Sequence, residues 1–130
     1  MIVVDTNIVM YRCMRSDFTA AASALAVLDS EWHAPQLWRS EFRNVLAGAI
    51  RRGMELEMAD GILADAEKCI GPNEHAIENA PVLRLIAASQ CSAYDLEFVA
   101  LAQELRAPLY TMDRQLLASF PGLARPLTSA

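Results

Sequence analysis

A short apolar strand-former that ends in an acid occurs twice in this chain, and this most constrains its fold. Residues 1 to 7 read Met-Ile-Val-Val-Asp-Thr-Asn, and residues 108 to 113 read Pro-Leu-Tyr-Thr-Met-Asp. β-Branched and aromatic residues favour strands, whereas Asp, Thr and Asn favour turns and helix starts. Each run therefore predicts a strand that hands over to a helix, at Asp5 and at Asp113. The sequence between them has helical character, and strands separated by helices imply a parallel sheet covered on both faces. Ligands bind such sheets at the carboxyl ends of the strands, which is where both acids fall.

A short helix starts at Thr6 or Asn7, and Ala20 to Glu31, rich in Ala and Leu, reads as a second. His33-Ala34 before Pro35 reads as a short extended link. Periodicity through Trp38, Phe42, Val45 and Ala49 predicts a helix from Gln36 to Arg52 with Gly53 as its stop. Met54 to Ile70 is another, ended by Gly71-Pro72. Residues 73 to 80 are open between a brief strand and a loop. Helices are expected over Pro81 to Gln90 and Tyr94 to Arg106, a strand over Leu109 to Thr111, and a last helix from Asp113. The tail after Phe120 reads as mostly irregular. With no repeat or linker in its 130 residues, the chain is expected to form one α/β domain, 1 to 130.

Hydrophobic residues make up 54% of the chain but are broken by charge every few positions, so no run approaches the ~20 apolar residues of a membrane span. Met1 leads straight into the strand without a basic leader, which points to a cytoplasmic protein. Cys13, Cys69 and Cys91 are odd in number and far apart in sequence, as expected of reduced thiols. With no C-x-x-C pair, and with His33 and His75 isolated, a zinc site is not expected. The net charge of −5 is the wrong sign for coating nucleic acid, which requires neutralising phosphates. It leaves room for a nucleic-acid enzyme, because a cation bound among acids inverts the local field. Ten of the 11 basic residues are Arg, the side chain suited to bidentate phosphate contact.

Four acids stand out: Asp5, Glu41, Asp95 and Asp113. Gathered at the strand ends they would suit a hard divalent cation such as Mg²⁺. Asp5 and Asp113 have a second explanation as N-caps. Asp95 has one too, since Ser92-Ala93-Tyr94-Asp95 matches a capping box. Capping and ligation are compatible, because a backbone N–H occupies only one carboxylate oxygen. Glu41 lies inside a helix, roughly 70° from the centre of its apolar stripe at ~100° per residue. At that border a lone carboxylate loses hydration unless a cation or a hydrogen-bonded pocket compensates, and Asn44 is one turn away on the same side.

Four segments in order complete the pattern: Val3-Val4-Asp5-Thr6-Asn7, Ser40-Glu41-Phe42-Arg43-Asn44-Val45-Leu46, Ser92-Ala93-Tyr94-Asp95 with Val99-Ala100-Leu101-Ala102, and Leu109-Tyr110-Thr111-Met112-Asp113. Together they resemble the PIN-domain family, and within it the small VapC-type toxins of toxin–antitoxin pairs. The resemblance spans nearly the whole chain; residues 54 to 85 contribute helical character and no motif. It implies a three-layer α/β/α fold with a parallel sheet of four or five strands flanked by helices. It implies a metal site formed by Asp5, Glu41, Asp95 and Asp113, with Thr6, Asn7, Asn44, Ser92 and Thr111 in support. The activity implied is Mg²⁺-dependent endoribonuclease cleavage, with Mn²⁺ able to substitute, leaving a 5′-phosphate and a 3′-hydroxyl. A cognate antitoxin laid across the acids, often through an Arg, and a homodimer made by helices are also implied.

Two other readings fit part of the pattern. A haloacid-dehalogenase-like phosphatase also ends a strand in Asp, but it expects a second acid where this chain has Asn7 and a downstream Lys where the only one is Lys68. A non-catalytic PIN-like interaction module would keep the fold without turnover. Arg12, Arg15, Arg39, Arg43 and Arg114 lie near the motifs and could meet phosphates, and Tyr11, Trp32, Trp38 and Tyr94 could stack bases.

Overall fold

A computed structural model describes residues 1 to 128. Its elements run β1 (Ile2–Val4), α1 (Thr6–Cys13), α2 (Thr19–Leu28), β2 (Trp32–Pro35), α3 (Leu37–Arg51) and α4 (Leu56–Ile70). They continue through β3 (Glu74–His75), α5 (Asn79–Ala88), α6 (Ala93–Leu105), β4 (Leu109–Tyr110), α7 (Arg114–Ser119) and β5 (Ala124–Arg125). The five strands form one sheet in the order β3-β2-β1-β4-β5, with every pairing parallel. The order places β1 at the centre, and successive connections move first towards β3 and then back towards β5. With right-handed crossovers, this reversal puts α1 to α4 on one face and α5 to α7 on the other. The result is the three-layer α/β/α fold.

Val3, Val4, Ile8, Trp32, Trp38, Phe42, Leu96, Phe98, Leu101, Leu109 and Leu116 are wholly buried and join both helical layers to the sheet. β1 is apolar throughout because it is covered on both faces. The two predicted helix stops hold: Gly53 has φ +112° and Gly71 φ +56°, conformations that glycine adopts without strain.

Four local expectations change. The helix after Thr19 ends at Leu28, short of Glu31, because the Glu31 carbonyl accepts the Ile2 amide at 3.0 Å and is drawn into the sheet. The extended link at His33-Ala34 is a full internal strand, with all of Trp32 to Pro35 buried. The Ala34 and Gln36 amides donate to the Asn73 and His75 carbonyls, so Pro35 falls between donors and its missing N–H costs no bond to β3. The open segment holds β3, after which α5 starts two residues before Pro81; a first-turn amide lacks a helical partner anyway, so proline is tolerated there. The tail contributes edge strand β5, held by Leu109 N–H on the Leu123 carbonyl and Thr111 N–H on the Arg125 carbonyl, each at 3.0 Å.

The isolated histidines also meet: His33 Nδ1 lies 2.8 Å from His75 Nε2 across β2 and β3, while His33 Nε2 lies 2.9 Å from Glu31. No helix among the described residues is long and apolar enough to cross a membrane.

Candidate functional site

The sheet reverses its order between β1 and β4, which is where open α/β sheets leave a ligand crevice. Asp5 follows β1 at this point, and its amide donates to the Tyr110 carbonyl of β4 at 3.0 Å. Asp5, Glu41, Asp95 and Asp113 all line one cavity here, of about 420 Å³. Asn7 and Asn44 lie on its exposed wall, with Thr6, Leu37, Ser40, Val45 and Tyr94 completing the lining.

Two threonines tie these acids together. Thr6 donates its amide to Asp5 Oδ1 at 2.7 Å and its hydroxyl to Glu41 Oε1 at 2.7 Å. Wholly buried Thr111 donates its hydroxyl to Asp5 Oδ2 at 2.8 Å, and Thr111 Oγ1 itself accepts the Asp113 amide at 3.0 Å. The capping explanations hold as well: Asp5 caps α1 and Asp113 caps α7, accepting the Leu116 amide at 2.9 Å. Ser92 caps α6 by accepting the Asp95 amide at 3.1 Å, and it stands outside the cavity lining. Local capping therefore aims the acids, and carboxylate lone pairs remain for a ligand.

Burial pushes the Asp5 carboxyl up to about 6; the Thr111 hydrogen bond opposes the rise, and the charges of Glu41 and Asp95 add to it. Burial likewise raises Glu41 against the Thr6 hydrogen bond, with Asp95 and Glu97 adding repulsion. Asp95 is raised by burial and then by Asp113. No Lys, Arg or His lines the cavity, and none of the four acids enters an ion pair among the described residues.

This donor set fits Mg²⁺. All donors are hard oxygens, and the like charges repel one another until a cation arrives. As placed, no three His, Cys, Asp or Glu side chains among the described residues converge closely enough to cage a bare ion. Mg²⁺ does not need such a cage, because it keeps several waters and uses one or two carboxylates with substrate phosphates.

Several candidates fall elsewhere. Arg39 is held by Glu74 at 2.6 Å and Glu67 at 3.0 Å, and Arg12 lies over the Trp32 ring at 5.0 Å. Arg43 lines a separate groove between α3 and α4. Trp32 and Trp38 are wholly buried and Tyr11 packs on Phe18, whereas Tyr94 is 65% exposed on the cavity wall. Lys68 lines a different cavity, so the lysine that a phosphatase of the dehalogenase type requires is not at these acids. Sequence reasoning did not assign Leu37, Ser40 or Val45 to the site, although the spacing 37, 41, 44/45 on one helix marks the side that Leu37 and Val45 share with Glu41. It also passed over Glu97, whose carboxyl burial raises and whose charge reaches Glu41.

No curated protein sequence matches this chain. Solved structures that share its fold include two with near-complete coverage of this chain. PAE2754 from Pyrobaculum aerophilum superposes with a TM-score of 0.69 at 22% identity, over 96% of this chain and 89% of that one. FitAcB from Neisseria gonorrhoeae gives a TM-score of 0.68 at 14% identity, over 98% of this chain and 97% of that one. The model of the PIN domain matches residues 2–121, an interval that includes β1, β4 and all four acids, and the chain therefore belongs to the PIN domain family.

Proposed function

We propose that this chain is a Mg²⁺-dependent endoribonuclease and the toxin of a VapC-type toxin–antitoxin pair, acting in the cytoplasm. The observation that supports this most is the cavity wall: four acids from four segments, with no basic side chain beside them among the described residues. Asp5 and Asp95 would hold the ion directly, Asp113 through water, and Mn²⁺ would fit the same donors. When bound, the ion supplies the positive charge that accepts a phosphodiester and acidifies a water. Glu41, with its raised carboxyl, is suited to take the proton of that water. The new bond joins water oxygen to phosphorus and the broken bond releases the 3′-oxygen with a proton, leaving a 5′-phosphate and a 3′-hydroxyl. Asn7 and Asn44 would hold the RNA backbone from the rim, and Tyr94 offers a face for base stacking. The same reading includes a cognate antitoxin that covers the acids with a cation of its own, and a helix-mediated homodimer.

The test is incubation of total cellular RNA with the purified chain in Mg²⁺ or Mn²⁺, with new 5′ ends mapped by sequencing. Discrete cuts that vanish in EDTA and with Asp5→Asn are expected. Undiminished cuts by folded Asp5→Asn protein would overturn the assignment. Retained Mg²⁺ binding without any cut would favour the non-catalytic module.

A further inference from the structure

Cys13 and Cys69, 56 positions apart in sequence, meet in space with their sulfurs 3.8 Å from each other. Cys13 is the last residue of α1, and Cys69 is one residue from the end of α4, which packs beside it. Both are half-buried and face a second cavity, of about 500 Å³, shared with Arg12, Ser30, Asp65 and Lys68. Cys91 differs: it is buried, and its thiol donates to the Ser119 hydroxyl at 3.7 Å.

We propose that Cys13 and Cys69 form an oxidation site, at which a hydroperoxide such as hydrogen peroxide drives closure of a disulfide between α1 and α4. A disulfide needs sulfurs about 2.05 Å apart, so the pair must close by under ~2 Å, a distance within reach of side-chain rotation. The cavity admits a small oxidant to both sulfurs. Cys69 is the sulfur that attacks the peroxide. The hydrogen bond from Cys13 lowers its thiol to about 7, and Arg12 helps against burial and Asp65. That hydrogen bond, with burial, raises Cys13, which keeps its proton.

In the first step the Cys69 thiolate bonds to one peroxide oxygen, the O–O bond breaks, and the departing hydroxide takes a proton to become water. Cys69 is then a sulfenic acid. In the second step Cys13 sulfur attacks Cys69 sulfur, the S–O bond breaks, and a second water leaves with the Cys13 proton. Two thiols and one peroxide thus give one disulfide and two waters. Cys13 and Thr6 are the two ends of the eight-residue α1, about 10 Å of helix apart, so this chemistry is independent of the acid cavity. The cross-link would staple α1, which starts at that cavity, to α4.

The test exposes the whole purified chain to stoichiometric hydrogen peroxide and follows intact mass and unreduced peptide maps. A mass loss of two hydrogens and a Cys13–Cys69 cross-linked peptide within one chain are expected, with Cys91 still free. The melting temperature should rise and return after reduction, as closing a long loop constrains the unfolded chain. In Cys13→Ser, whose reduced melting temperature reports folding, Cys69 should stop at the sulfenic acid and be trapped by dimedone. Cys69→Ser should leave Cys13 unoxidised. Full alkylation of Cys13 and Cys69 after peroxide, a link through Cys91 or between chains, or a folded Cys13→Ser protein without a dimedone adduct would overturn the proposal.

Discussion

Helix α1 has a cavity at each end, and the two differ in how their charge is balanced. At the Cys13 end Asp65 is accompanied by Arg12 and Lys68, so the wall is complete as it stands. At the Thr6 end four acids share a wall with no basic partner among the described residues. The first needs no ion, whereas the second holds a buried charge that a cation would relieve. For Asp5, only 8% exposed, a rise from 3.8 to about 6 corresponds to a cost on the order of 3 kcal/mol at neutral pH. Because the folded value lies above the unfolded one, the folded state binds more protons between about pH 4 and 6. The stability of the metal-free protein should therefore fall as pH rises through that window.

The largest expected effect is on catalysis. Asp5→Asn should reduce RNA cleavage about 1,000-fold, ~4 kcal/mol of transition-state stabilisation, and single-turnover rates within tenfold of the parent would break the contrast between the two ends. The same variant should be more stable without metal, by about 3 kcal/mol at pH 7 and by nothing near pH 4, in urea melts. Asparagine can accept the Thr6 amide and donate to the Thr111 hydroxyl, so the two hydrogen bonds at Asp5 survive. Saturating Mg²⁺ should stabilise only the parent, by about 2.7 kcal/mol at a hundredfold excess over Kd; equal stabilisation of both would remove Asp5 from the ion.

Thr111→Val should destabilise by about 2 kcal/mol at pH 7, because it strips a buried carboxylate of a charge-assisted hydrogen bond. It should also raise Asp5 further, moving the acid limb of the cleavage profile to higher pH; an unmoved limb would exclude this coupling. Mn²⁺ affinity should weaken about tenfold per unit as pH falls below 6, since protons compete for Asp5, and a flat profile in direct titrations would contradict the buried-acid account. The smallest effect sharpens the comparison from the other end. Lys68→Ala should change stability by no more than about 0.5 kcal/mol and leave cleavage untouched.

The strand ends and the acid set were legible for a local reason. Val3-Val4-Asp5 and Leu109 to Asp113 each compress a strand, its end and a helix start into a few residues, and Glu41 shows itself by helical spacing. Strand β2 was underread because Trp32 to Pro35 is buried on both faces and so does not alternate, and because its proline argues against a strand. β5 is two residues long and has no pattern to read. The Thr6 and Thr111 bridges and the meetings of Cys13 with Cys69 and His33 with His75 depend on packing between distant elements, which spacing along one element does not encode.

The central claim is that the acid end of α1 is incomplete without a divalent cation. Calorimetric titration of Mg²⁺ into the parent and Asp5→Asn proteins at neutral pH tests it most directly. The account predicts saturable binding to the parent that is lost in the variant, while both remain folded. Equal binding to both, or no binding by the folded parent at millimolar Mg²⁺, would contradict it.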